Sequence, residues 1–252
     1  YIAGFDATSN LQAQLSYGIP TLGTSGHAFT LLFDSERDAF EAQLQAMGEK
    51  TTFLVDTFDV EKAVSAAVEI TSGNLGNVRI DSGDLAETTQ RVRAQLDELG
   101  AHDAKITVTN DLDEDAIAAL AAHPVDSYGV GTSLVTGSGA PTAGFVFKLV
   151  SKKEGDDWID VSKRSMGKSN LPGRKQATRV IENNIATHDL ITRPNQVAEG
   201  RLLQMQYVNE GTVLVLPSLD EARSRFIGSL EELPSSARRL SDGEPALAVT
   251  TF

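Results

Sequence analysis

Short apolar, β-branched runs recur at 53–55, 78–80, 106–108 and 128–130, and between them hydrophobic positions return at helical spacing. The runs predict buried strands and the spacing predicts amphipathic helices. End signals delimit the helices: Ser35 with Asp38 opens one that runs to Met47, 60–70 is another, 85–99 stops at Gly100, and 113–121 stops before Pro124. The strands are roughly 25 residues apart, the size of a βα unit. Alternating strands and helices imply a parallel sheet, open or closed.

Each strand then runs into polar or glycine residues. Val55 is followed by Asp56; Arg79 and Asp81 close "VRIDSGDL" at 78–85; Val108 precedes Thr109, Asn110 and Asp111; and Val130 sits inside "YGVGTSLVTGSG" at 128–139. Charged side chains are rarely buried unless something pairs with them. One reading of "VRIDSGDL" is a strand entering an exposed turn, with Asp84 capping the next helix. The other is that its charges face a polar ligand. In parallel α/β folds ligands sit at the carboxyl ends of strands, so several consecutive polar strand ends favour the second.

Beyond Val150 the pattern changes. Residues 151–176, "SKKEGDDWIDVSKRSMGKSNLPGRKQ", are polar and turn-rich and hold the single tryptophan, Trp158. The sequence therefore divides into 1–150, which carries the strand ends, and a C-terminal segment, 151–252. Within the latter, 201–206 and 211–216 read as strands and 219–230 as a helix. Another strand-like stretch, 19–22, leads into "GTSGH" at 23–27.

Composition narrows the function classes. With 252 residues, 40% of them hydrophobic, the chain can bury a sizeable core. A net charge of −13 argues against a general nucleic-acid or anionic-membrane binder, although an acidic protein can hold phosphates in a local basic pocket. Without cysteine there are no disulfides, thiolate nucleophiles or thiolate zinc sites, and four histidines make a histidine-rich metal site a poor reading. No stretch approaches the ~20 apolar residues of a membrane-spanning helix, so a cytoplasmic protein is the expectation. The abrupt apolar start "YIAGF" suggests that an N-terminal portion precedes Tyr1.

The glycine-rich stretch Gly129-Val-Gly131-Thr132-Ser133 offers backbone amides and hydroxyls with little bulk, which suits phosphate oxygens and equally suits a tight turn. It lacks dinucleotide spacing. Gly167-Lys168-Ser169 resembles the end of an NTPase phosphate loop, but Ser162 stands where the first glycine belongs, so that motif is rejected. Lys163, Lys168, Arg174 and Lys175 form a basic cluster in the acidic chain, most simply a solvated face. His27 sits at strand-end level in a glycine loop; no nucleophile elbow surrounds Ser25, which weakens a hydrolase triad.

Taken together and in order, "GFDATSN" (4–10), "GTSGHAF" (23–29), "LVDTFD" (54–59), "VRIDSGDL", "TNDLDE" (109–114), "YGVGTSLVT" (128–136), "FKLV" (147–150) and "LPGRKQ" (171–176) resemble nicotinate phosphoribosyltransferase. The likeness runs from Tyr1 to about Leu240 and includes "LPSLDEARSR" at 216–225. It implies an irregular, here incomplete, (β/α) barrel of the type II phosphoribosyltransferase kind with an appended α/β segment. The implied reaction joins nicotinate to phosphoribosyl pyrophosphate, giving nicotinate mononucleotide and pyrophosphate, with Mg2+ and with ATP hydrolysis coupled through a phosphohistidine. The family is dimeric, and the N-terminal portion that would precede Tyr1 supplies an aromatic that stacks on the base across the dimer.

Residue by residue, the resemblance implies that Arg79 holds the nicotinate carboxylate, which suits its planar fork. Asp81 is placed for ribose or magnesium. Asp56 and Asp111 supply hard oxygens at neighbouring strand ends for magnesium and the ribose hydroxyls, with Asn110 beside the substrate. Gly131 and Thr132, with Gly129 and Ser133, take the 5′-phosphate; Thr8 and Ser9 lie near the base; His27 is the phosphorylated histidine. The alternatives are the nicotinamide-using relative, a catalytically silent nucleotide-binding module, and a barrel aldolase, whose strand-end lysine would have to be Lys148.

Overall fold

Hydrophobic pattern and caps become a mixed α/β structure in the computed structural model, which describes residues 1–164, 170–196 and 198–251. Contacts divide the chain into two units, Leu22–Ala143 and a second built from Tyr1–Thr21 with Gly144–Phe252. The division expected at 150 thus compares with one at Gly144, and the first residues group with the late chain. Lys168 and the rejected Gly167-Lys168-Ser169 motif lie outside the described residues.

Helix α1 (Leu11–Tyr17) belongs to the split unit and is capped by the Asn10 side chain, which accepts from Gln12 N. The continuous unit then runs α2 (His27–Thr30), α3 (Glu36–Met47), β1 (Thr52–Leu54), α4 (Val60–Ile70), β2 (Asn77–Ile80), α5 (Leu85–Glu98), β3 (Lys105–Val108), α6 (Glu114–Leu120), β4 (Ser127–Tyr128) and α7 (Thr132–Thr136). Ser35, Asp59, Asp84 and Asp113 each cap a helix by accepting the backbone N–H three positions on. Such a cap stabilises by about 1 kcal/mol. Asp84 is therefore a cap, as one reading of its stretch had it, while Arg79 and Asp81 take another part.

The strands form one open parallel sheet in the order β1-β2-β3-β4, sequential as in an arc of a barrel. Its register sets Arg79 opposite Leu54 and Thr107. Val78, Ile80, Ile106 and Val108 are fully buried and pack with Val64, Val92 and Leu96 of the covering helices. Each such burial contributes about 1.5–3 kcal/mol. The alternate positions form a polar ladder: Asn77 Nδ2 donates to Thr107 Oγ1 at 2.8 Å, and Thr107 and Ser127 hydroxyls meet at 2.6 Å. Successive side chains leave a strand on opposite faces, so Arg79 falls on this polar face and not in the apolar layer.

The split unit continues with the hairpin β5 (Ser151–Glu154) and β6 (Asp157–Asp160), then β7 (Gln176–Glu182), β8 (Ile185–Thr192), β9 (Arg201–Leu202), β10 (Val208–Asn209), β11 (Thr212–Val213), α8 (Leu219–Glu231) and β12 (Ala248–Thr251). A sheet in the order β12-β8-β7-β9 forms its body. The strand expected over 201–206 ends at Leu202 because the Gln204 side chain, not a backbone carbonyl, receives Ala177 N at 3.0 Å. That expected over 211–216 is confined to Thr212–Val213, and 19–22 makes only a bridge of Thr8 with Thr21. Pro20 has no N–H for a ladder, and its carbonyl accepts Thr8 N at 3.0 Å. In the basic cluster, Lys175 Nζ donates to the Leu171 and Gly173 carbonyls at 2.7 and 2.6 Å, so it braces its own turn.

Candidate active site

Arg79, next to last in β2, has its guanidinium held on three sides. Nε donates to Thr109 Oγ1 at 2.8 Å, Nη1 to Thr24 Oγ1 at 2.7 Å, and Nη2 to Asp81 Oδ1 at 2.8 Å. A guanidinium carries two N–H groups on each terminal nitrogen, so each keeps one for a further acceptor. The Thr109 hydroxyl also donates to Asp81 Oδ1. Burial would push the Asp81 carboxyl up, but the hydrogen bonds from Thr109 and Arg79, and the Arg79 charge, hold it below the ordinary aspartate range. Asp81 is therefore a carboxylate at neutral pH.

Asp56 follows β1 and is almost wholly enclosed, its side chain 3% exposed. Its Oδ2 accepts Asp81 N at 2.8 Å and Ser82 Oγ at 2.6 Å, while Oδ1 is buried without a hydrogen-bond partner. His27, the first residue of α2, faces both carboxylates: Nε2 lies 3.7 Å from Asp81 Oδ2 and 3.9 Å from Asp56 Oδ1, and Nδ1 lies 3.1 Å from Thr57 Oγ1. Buried carboxylate oxygens without donors are costly, so one aimed at an imidazole belongs to a site rather than to a packed core.

The structure thus brings His27, Asp56, Arg79 and Asp81 together. Asn110 and Asp111 follow β3, exposed, with φ of 105° and 47°. Left-handed backbone at two successive non-glycine residues is sparsely populated and clusters at functional strand ends. Gly129 has a packing reason: a Cβ there would come within 2.5 Å of Thr109 Cγ2, the side chain that orients Arg79 and Asp81. Around Gly131 the space is open, and Thr132 and Ser133 start α7. Thr8 and Ser9 lie in the other unit, where Thr8 Oγ1 accepts Asn10 N at 3.2 Å.

Hydroxyls are what the sequence reading missed. Thr24, Thr57 and Thr109 hold the arginine and the histidine, and their signal is membership of "GTSGHAF", "LVDTFD" and "TNDLDE", where the charged neighbours drew the roles. Glu36 was missed too. Burial, then the charges of Asp59 and Asp56, push its carboxyl up to about 7, and its Oε1 is buried without a partner. Because the folded state holds that proton more tightly than the unfolded chain, stability should fall as pH rises from about 4.5 to about 7 and level off above. Glu36→Gln should flatten this slope in denaturant midpoints measured across that range; an unchanged slope would place the titration elsewhere.

Oxygen donors of this kind suit magnesium, which is commonly held by one or two carboxylates together with substrate phosphates. Asp81 Oδ2 and the exposed Asp111 fit that role. Among the described residues no group of three or more histidine, aspartate or glutamate side chains is arranged to cage a metal. Nor is any helix among them long and apolar enough to cross a membrane.

Fold and site define an α/β protein that collects an arginine fork, carboxylates and a histidine at the carboxyl ends of parallel strands. Along its entire length it is 46% identical to nicotinate phosphoribosyltransferase pncB1 of Mycobacterium tuberculosis, covering 58% of that protein. By sequence it is similar to the nicotinate phosphoribosyltransferases, and it spans little more than half the length of the relatives it matches. The Bacillus subtilis nicotinate phosphoribosyltransferase is 38% identical over 73% of this chain and 39% of its own. Among solved structures, nicotinate-nucleotide pyrophosphorylase from Pyrococcus furiosus superposes with a TM-score of 0.76 at 25% identity, over 92% of this chain and 60% of that one. The human nicotinic acid phosphoribosyltransferase shares the fold, with a TM-score of 0.70 at 24% identity, over 100% of this chain and 64% of that one. No protein-family profile matches the chain.

Proposed function

We propose that this chain carries the base-recognition and phosphoryl-accepting strand ends of a nicotinate phosphoribosyltransferase. The observation that carries the reading is Arg79, which is braced by Thr24, Asp81 and Thr109 yet retains an N–H on each terminal nitrogen. A planar fork so presented suits a carboxylate, the group that distinguishes nicotinate from nicotinamide.

In the transfer, the pyridine nitrogen lone pair of nicotinate forms a C–N bond at C1 of phosphoribosyl pyrophosphate. The C–O bond to pyrophosphate breaks, and the leaving group departs with the bonding pair. Positive charge develops on the ribose ring, and Asp81, ionised and oriented by Arg79 and Thr109, is the carboxylate that stabilises it. Asp81 and Asp111 would hold magnesium, which would supply positive charge to offset that on the leaving group. The amides and hydroxyls at Gly129, Gly131, Thr132 and Ser133 would receive the 5′-phosphate.

ATP enters through His27. An imidazole nitrogen attacks the γ-phosphorus, an N–P bond forms as the P–O bond to ADP breaks, and the ring proton passes to a neighbouring base; water later cleaves the N–P bond and releases phosphate. Asp56, whose unpartnered Oδ1 lies 3.9 Å from Nε2, is placed to take the Nε2 proton as Nδ1 attacks. The working protein is read as a cytoplasmic homodimer in which the part of the relatives' length not spanned here completes the base pocket. Purified full-length protein should form nicotinate mononucleotide from nicotinate and phosphoribosyl pyrophosphate, followed by chromatography, and should prefer nicotinate when both bases compete. A preference for nicotinamide, or binding of the mononucleotide by calorimetry without turnover, would overturn the reading.

A further inference from the structure

The arginine and the histidine are linked in two ways: Asp81 accepts from Arg79 Nη2 and lies 3.7 Å from His27 Nε2, and the Thr24 hydroxyl ties the arginine to the stretch that carries the histidine. Thr24 Oγ1 accepts Arg79 Nη1 at 2.7 Å, and Thr24 stands in the same short stretch as His27. Two other tethers hold that stretch to fixed structure. Ser25 Oγ donates to Gln43 Oε1 at 2.7 Å, and the buried Gln43 amide donates to Thr51 Oγ1 and Thr52 O at 2.7 and 2.8 Å, at the start of β1. His27 Nδ1 meets Thr57 Oγ1. The Thr24 tether differs because it runs to a charged group that has N–H groups left for a ligand. Gly23 and Gly26 flank it, and a Cβ at either would meet nothing within 4 Å, so the glycines are not required there by close packing and lend the stretch backbone freedom.

Resting on the function proposed above, we infer that Thr24 is a positioning residue that links occupancy of Arg79 by the carboxylate of the base to the setting of His27. A carboxylate entering the fork re-aims the guanidinium, because two charge-assisted hydrogen bonds fix its plane. The bond to Thr24 must follow that plane or be lost. Either change is carried along the 24–27 stretch to the imidazole, so phosphoryl transfer from ATP responds to whether the base is bound. A ligand can shift such an arrangement only by binding one setting better than the other, and the Arg79–Thr24 bond is where the difference enters.

Thr24→Val keeps the branched shape and removes the acceptor, whereas Thr24→Ser keeps the acceptor. In full-length protein, T24V should raise the ATP hydrolysed per nicotinate mononucleotide formed several-fold, and nicotinate should no longer alter the ATP hydrolysis rate. T24S should hold the wild-type ratio, and T24A, read in the same assay, should behave as T24V even if the valine variant folds poorly. A purely structural role would lower the melting temperature without changing this ratio. Wild-type stoichiometry in T24V and T24A, or a T24S variant as uncoupled as they are, overturns the inference alone. A wild-type protein that makes the mononucleotide but hydrolyses no ATP overturns it together with the phosphohistidine reading.

Discussion

His27→Ala in the full-length protein is expected to abolish ATP stimulation of nicotinate mononucleotide formation while a slow ATP-independent reaction persists. The residual rate follows from what the substitution leaves in place: Arg79 stays braced by Thr24 and Thr109, and Asp81 keeps its hydrogen bonds and its charge. What is lost is the imidazole that lies beside the Asp56 and Asp81 carboxylates. On the function proposed above, a phosphoryl group there would add negative charge beside the transfer site and would tie ATP hydrolysis to an otherwise reversible reaction. Incubation with γ-labelled ATP should yield a label that acid removes, base spares and peptide mapping places on the His27 peptide. The same label on the alanine variant would sink the assignment.

For Arg79→Ala the expected loss is selective. A hydrogen bond to a charged group is worth about 1.5–3 kcal/mol, so nicotinate efficiency should fall on the order of 10- to 150-fold. Nicotinamide offers no carboxylate to the fork and should lose far less. The comparison of bases matters because Arg79 also orients Asp81 and touches Thr24, and any loss through those contacts falls on both substrates. Measuring kcat/KM for each base separates the two contributions, and equal losses would remove Arg79 from carboxylate recognition. Arg79→Lys should recover only part of the nicotinate activity, since an ammonium keeps the charge without the fork.

Much of the continuous unit was legible before any coordinates. The helices expected over 60–70 and 85–99 appear as Val60–Ile70 and Leu85–Glu98, and the four strands fall within a residue or two of their apolar runs. They were legible because both signals are local: a cap needs one side chain near its own helix, and a strand buried on a packed face needs β-branched residues in a row. The β7–β8 hairpin was equally local and was passed over. Its signal is Asn183-Asn184, both with positive φ, between two alternating segments.

What the sequence by itself determined, then, is an alternating α/β chain whose strands end in chemistry, with Arg79, Asp81 and His27 among the residues singled out. Tertiary structure alone decided which of these meet. Thr24 and Arg79 are 55 positions apart, and Asp56 reaches the Asp81 amide across 25. The reason is geometric. Parallel pairing aligns strand ends from distant parts of the chain, and the pleat turns alternate side chains to one face, so neighbours there are set by register between strands rather than by order along them. The same pairing put Thr109, the first residue of "TNDLDE" and given no role by the sequence, between the arginine and its aspartate.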